Sequence, residues 1–292
     1  MRNLLFIVGT GRCGSTLVHE VMARHEECGF ISNIEDNAPT LSVLGNWNNA
    51  LYRSVLGQHT AKGGLRFAPS EAYKLISEEV SPIYANSSRD LRTDDVTPWL
   101  ERRFKNFFER RSDAQGRGLF LHKYTGWSRL GFFARIFPEA KFIHIVRDGR
   151  AVANSWLQMD WWQGYRGPEH WQWGPLSEAH RLEWEASDRS YPLLAGICWK
   201  LLMDSYHAAE PSIGTPNYLK LRFEDIVESP RKYFEQMLQF AGLPWSEEFE
   251  RGFARQAFKL DRRRAFEQDL SAPDVERLNA SLRPLLNQYG YE

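Results

Sequence analysis

The chain is 292 residues long, and its 37 basic residues balance 37 acidic ones, so no overall basic field recruits nucleic acid and any anion must be held by local groups. Hydrophobic residues at 42% and charged residues at 25% are ordinary for a globular protein with a substantial buried core. Cys13, Cys28 and Cys198 form neither a CxxC metal pattern nor a disulfide framework, and the N-terminal apolar run is too short for a signal or membrane segment; a reducing, cytoplasmic setting without an integral membrane segment is expected.

In chain order, residues 4–8 (LLFIV) are an unbroken apolar run ending at Gly9, the pattern of a strand covered on both faces. Residues 15–25 follow as a helix with Leu17, Val18, Val21 and Met22 on its stripe, and a short strand is expected near 30–34. Residues 37–98 have weak periodicity and scattered Gly, Pro and Asn, which reads as an irregular, partly helical insert. A helix over 99–111 puts Phe104, Phe107 and Phe108 on one face, ahead of a strand at 119–124 and a helix at 129–137. Residues 141–146 (KFIHIV) read as another buried strand, ending in Arg147-Asp148-Gly149, where a helix begins and runs to about Trp156. Residues 160–175, rich in Trp, Gly and Pro, read as a loop. Helices are expected at 178–188 and 193–209, a strand at 218–223, and helices at 230–241, 246–256 and 274–287. The alternation predicts one α/β domain over 1–292, three-layered, with a mostly parallel central sheet and helices on both faces.

Between the first strand and helix lies Gly9-Thr10-Gly11-Arg12-Cys13-Gly14-Ser15-Thr16. Glycines let the backbone approach an anion, and the N–H groups opening the helix point at it. Ser15 and Thr16 add hydroxyls, and Arg12 adds a fixed charge. A tight turn with a serine cap is the plain alternative. A triphosphatase loop would place Lys before the Ser/Thr pair, where this chain has Gly14. The later strand ends in Arg147, where such a protein would want an acidic Mg²⁺ partner. The loop therefore suits a phosphate that is held, and a kinase of small molecules is the weaker reading. Arg147, at a strand end beside a helix start, points to a second phosphate site in the same crevice.

The segments FIVGTGRCGSTLV and FPEAKFIHIVRDGRAVANS resemble the family of sulfotransferases that use 3′-phosphoadenosine-5′-phosphosulfate (PAPS). LKLRFEDIVESP and the terminal LLNQYGYE are similar to later pieces of the same family, while residues near 37–118 and 157–215 read as insertions without a clear counterpart. The resemblance implies a P-loop-like nucleotide-binding core, PAPS as donor, 3′,5′-ADP (PAP) as product and no metal. It implies that Gly11, Arg12, Cys13, Gly14, Ser15 and Thr16 hold the 5′-phosphosulfate, and that Arg147 and Ser155 hold the 3′-phosphate. It also implies Lys123 and Arg12 as cations at the transferring group.

The base is expected to be Glu35, by likeness to members whose glutamate follows the second strand, with Asp36, His59 and His122 as alternatives. The histidine that some members carry two positions after the lysine is Thr125 here. His122 alternates with Lys123 along a strand and should face the core. Residues 156–175 carry five Trp, which would form either an acceptor wall or a satellite core. Arg262, Arg263 and Arg264 read as a solvated run with a possible reach toward the 3′-phosphate. The expected partner is a small-molecule, lipid or glycan hydroxyl acceptor, with the oligomeric state left open. A nucleotide-binding protein without catalysis is the alternative from another class.

Overall fold

In a computed structural model of the chain, which describes residues 3–38, 45–54, 67–259 and 263–291, the first apolar run forms strand β1 (Asn3–Gly9). Successive side chains of a strand point to opposite faces. Leu4, Phe6 and Val8 accordingly enter one core with Phe108, Phe133 and Phe142, and Leu5 and Ile7 enter another with Val18, Met22 and Ile143. Two apolar faces on one strand require a cover on each side, and this is what makes the domain three-layered.

β1 lies between β3 (Leu119–Thr125) and β4 (Lys141–Val146); β2 (Cys28–Gly29) pairs outside β3 and β5 (Tyr218–Arg222) outside β4, all in parallel. The chain works outward past β3 first and then crosses to β4. The crevice at the C-terminal ends of β1, β3 and β4 is thus the place where doubly wound sheets take ligands. Helix α1 (Ser15–Met22) follows β1, and α2 (Asn33–Asn37), α3 (Gly45–Arg53), α4 (Tyr73–Glu79) and α5 (Ile83–Asn86) build the described part of the first insert. Next come α6 (Pro98–Gln115), α7 (Leu130–Ile136) and α8 (Gly149–Leu157). The second half contains α9 (Glu178–Glu185), α10 (Tyr191–Ala209), α11 (Phe223–Glu228), α12 (Pro230–Ala241), α13 (Glu247–Phe253), α14 (Phe266–Asp269) and α15 (Ala272–Gln288). A third core cluster joins α8, α10 and α15 through Val152, Trp156, Ile197, Trp199, Leu278 and Leu282.

The strand expected near 30–34 is shorter and earlier than the sequence suggests. Ser32 stops the extended run, because its Oγ accepts from the Glu35 N–H at 3.2 Å and caps α2. This turns Glu35 away from the direction that a longer strand would have given it.

His19, His122 and His144 are buried, and burial pulls each imidazole below its ordinary range, His122 to about 3. On unfolding each returns to about 6.5, so below that pH the unfolded chain binds protons that the folded chain refuses. Their stabilisation is whole above about pH 6.5 and is lost as pH falls toward the folded values. Buried Glu35, Asp90 and Glu224 are raised and act in the opposite sense through their own range. His144→Gln should therefore flatten the fall in denaturant stability below pH 6.5 by about 1.4 kcal/mol per pH unit relative to the parent. Parallel pH profiles for parent and variant would contradict this.

Candidate active site

The loop after β1 turns through left-handed backbone at Gly11 (φ 83°), Arg12 (φ 53°) and Gly14 (φ 90°). Gly14 has a second reason to be glycine, since a Cβ there would stand 2.1 Å from the Phe223 ring. Arg12 takes this conformation with a full side chain, held at both ends. Its Nε donates to Ser155 Oγ at 2.9 Å, and its carbonyl accepts from Arg147 Nη1 at 2.9 Å. The first turn of α1 has no side-chain cap, which leaves its N–H groups facing the crevice. Thr16 is exposed at the same point, whereas the Cys13 side chain is wholly buried and offers the crevice only its backbone.

Arg147 leaves the end of β4 and packs its guanidinium over the Phe223 ring at 5.1 Å. Its Nε is buried without a partner, and burial draws its pKa down from the ordinary value while Glu224 opposes this. The late segments of the chain meet here. Glu224 accepts from the Tyr291 hydroxyl at 2.7 Å and from the Asp148 N–H at 3.3 Å, bracing the corner that carries Arg147. Asp148 caps α8 by accepting from the Arg150 N–H, which fixes the helix bearing Ser155.

Strand β3 puts Lys123 opposite Ile7 and Thr125 opposite Gly9 in register. Lys123 is nearly buried, and its Nζ donates to Thr16 Oγ1 at 2.7 Å and pairs with Glu71 Oε1 at 2.5 Å. Glu71 Oε2 stands 3.4 Å from Thr125 Oγ1. The carboxylate that meets the lysine and the loop is therefore Glu71, a residue that sequence reasoning missed. Its segment is tied to β3 by Tyr73, whose hydroxyl donates to the Thr125 carbonyl at 2.9 Å and accepts from the Thr125 N–H at 3.0 Å.

Glu35 is not brought to the crevice. It is 2% exposed and paired with Arg111 Nε of α6 at 2.7 Å, with burial raising its pKa and Arg111 opposing that. Asp36 accepts from Ser70 Oγ at 2.8 Å and from the Leu75 N–H at 3.0 Å, so it braces the segment that carries Glu71. His122 faces the core, bonded to the Tyr84 hydroxyl at 3.1 Å, as strand alternation predicts. His59 and Arg262 lie outside the described residues. Arg263 pairs with Glu228 and Arg264 with Glu267, and neither lines the crevice.

Loop, strand ends and tryptophan segment together enclose a cleft of ≈ 1290 Å³. Gly11, Arg12, Gly14, Ser15, Thr16 and Arg147 line it at one end. Glu71 and Thr125 also line it, as do Trp127, Trp156, Trp161, Trp171 and Trp173. Trp156, Trp162 and Trp171 belong to the third core cluster and Trp173 packs against it, whereas Trp161 is 43% exposed. The segment is thus wall and core at once, with buried rings presenting a face to the cleft.

Apart from the Glu71 carboxylate, the groups around the loop are cationic or hydrogen-bond donors: Arg12, Lys123, Arg147, three hydroxyls and free helix N–H groups. The buried cleft-lining donors Trp127 Nε1, Arg129 Nε, Arg147 Nε and Trp156 Nε1 have no partner. Such a set fits a ligand made of phosphate and sulfate oxygens, the character of PAPS. Among the described residues no group of His, Cys, Asp and Glu is arranged to hold a metal ion, and no helix is long and apolar enough to cross a membrane.

A glycine-rich loop at the end of a parallel sheet, with an arginine just past the neighbouring strand, defines an α/β protein of the P-loop-like class. Residues 5–247 match the model of the family described as the sulfotransferase family, and the chain belongs to that family. The chain is 22% identical over 265 residues to the omega-hydroxy-beta-dihydromenaquinone-9 sulfotransferase Stf3 of Mycobacterium bovis, a match covering 82% of this chain and 62% of that protein. Among solved structures, the sulfotransferase STF9 from Mycobacterium avium superposes with a TM-score of 0.54 at 16% identity, over 99% of this chain and 77% of that one. A sulfotransferase domain from the curacin biosynthetic pathway gives 0.54 at 13% identity, over 97% and 98%. These likenesses bear on the fold.

Proposed function

We propose that this chain transfers the sulfuryl group of PAPS to a hydroxyl acceptor, with Glu71 as the base in place of the expected Glu35. The observation that carries this reading is the meeting of Glu71, Lys123 and Thr16 at the mouth of the anion-holding loop, with Arg147 and Ser155 grouped around Arg12 on the neighbouring elements. PAPS supplies a sulfuryl group on a phosphate leaving group. Gly11 to Thr16 hold the phosphosulfate through backbone N–H groups and hydroxyls, Cys13 by its backbone alone. Arg147 and Ser155 hold the 3′-phosphate. Lys123 and Arg12 offset charge at the leaving oxygen, as cations do in the related phosphoryl transfers. Glu71 takes the proton of the acceptor hydroxyl, from a place beside the lysine where an incoming oxygen would be in line.

The acceptor lies against the tryptophan wall, whose rings suit a flat or ring-bearing alcohol. Radiolabelled PAPS offered with sterol, quinol, phenol and sugar alcohols tests this. Transfer of label with release of 3′,5′-ADP supports the reading. Tight 3′,5′-ADP binding with no transfer to any acceptor class would favour a carrier without catalysis, and Mg²⁺-dependent ATP consumption would favour a kinase.

Arg147→Ala should weaken 3′,5′-ADP by about 1.5–3 kcal/mol, the worth of hydrogen bonds to a charged group, and 5′-AMP by much less. Calorimetry on both ligands checks it, and equal losses would contradict a 3′-phosphate role.

A further inference from the structure

Trp156 follows Ser155, which α8 delivers to Arg12, and the sulfuryl-transfer reading leaves its indole N–H without a task. The ring is 0% exposed, is stacked on Trp173 at 6.0 Å and 28°, and yet lines the cleft. Its Nε1–H has no hydrogen-bond partner. A buried N–H left unpaired costs about 1–3 kcal/mol, so the position calls for a ligand atom that satisfies it. Indole donates and cannot accept, so that atom is an acceptor.

The loop shows where the donor is aimed. A Cβ placed on Gly11 would lie 3.7 Å from Trp156 Nε1 and 3.8 Å from Thr125 Oγ1, so the two groups flank one point on the loop. Thr125 Oγ1 is the hydroxyl that stands 3.4 Å from Glu71. The indole Nε1 thus lies beside Gly11, near the Thr125 hydroxyl that stands next to Glu71. The remaining buried, unpartnered side-chain atoms on cleft-lining residues are Trp127 Nε1, Arg129 Nε and Arg147 Nε, which donate, and Ser87 Oγ, which can donate or accept. None of these unpartnered atoms is limited to accepting, which suits an oxyanion.

We propose that Trp156 donates its indole N–H to an oxygen of the sulfuryl group under transfer, a contact that rests on the sulfotransferase reading above. It adds a neutral donor to the two cations and so holds the group without adding net charge. Fixed donors of this kind act on the transition state without reorganising.

Trp156→Phe keeps most of the stacked ring and removes only the N–H. It is expected to lower kcat roughly tenfold to a hundredfold. Affinity for 3′,5′-ADP, which lacks the sulfuryl group, should stay within about twofold, since no phosphate contact is lost. An unchanged kcat overturns the proposal. So does an equal loss of 3′,5′-ADP affinity, which would move the contact to the 5′-phosphate. Should the variant not fold, the indole N–H resonances of the unsubstituted protein give a second readout. One of the eleven is expected to move downfield with PAPS and not with 3′,5′-ADP, and a spectrum that responds identically to both overturns the contact. Parent protein that binds neither nucleotide sinks the sulfotransferase reading and this contact with it. Parent turnover with an unimpaired Trp156→Phe sinks the contact alone.

Discussion

Glu71→Gln is expected to lower kcat by about 10²–10⁴, the range for losing a general base, with little change in the KM for PAPS. Glutamine keeps the size of the side chain and an oxygen for Lys123 and Thr125, so the loss reports proton acceptance more than packing. A fall of less than about threefold would exclude Glu71 as the base. The matching substitution at the position expected from sequence has the opposite signature. Glu35→Gln removes one of two carboxylates around Arg111, Glu79 being the other, and is expected to cost about 1–3 kcal/mol of stability. The folded remainder should turn over at the parent rate.

The second large effect is expected at Lys123. Its ammonium is shared between Thr16 and Glu71 and is buried beside the glycine-rich loop. Lys123→Met keeps the apolar stem and removes the charge, and kcat should fall by about 10²–10³, as on losing a preorganised electrostatic contact. Affinity for 3′,5′-ADP should fall less, because Arg147 and Ser155 remain. Reduced nucleotide affinity with preserved kcat would assign the lysine to ground-state binding alone.

The parts of this site that can be read from sequence are those fixed by local pattern. β1 and β4 are apolar runs covered on both faces and cut off by Gly9 and by Arg147-Asp148-Gly149, so their ends, and the loop and helix start just beyond each, can be placed by counting. Lys123 and His122 separate by strand alternation alone, and the structure sends one to the loop and the other to the core. Glu35 could not be placed this way. Its position depends on where the second strand stops, and the Ser32 cap ends the extended backbone early and turns the carboxylate toward α6. Glu71 carries no local signal, because it sits in an aperiodic stretch and reaches the site through Tyr73 and Asp36, residues paired across long sequence separations. The tryptophan segment offers a choice between wall and core that composition cannot make. Trp156 and Trp171 belong to the third core cluster and also line the cleft, beside exposed Trp161.

Calorimetric titration of 3′,5′-ADP against 5′-AMP tests most directly whether this cleft is built for a nucleotide with phosphates at both ends of its ribose. The expected result is 3′,5′-ADP binding tighter by at least about tenfold, the worth of one charged contact at Arg147. Equal affinities for the two nucleotides, or no binding of either, would contradict it.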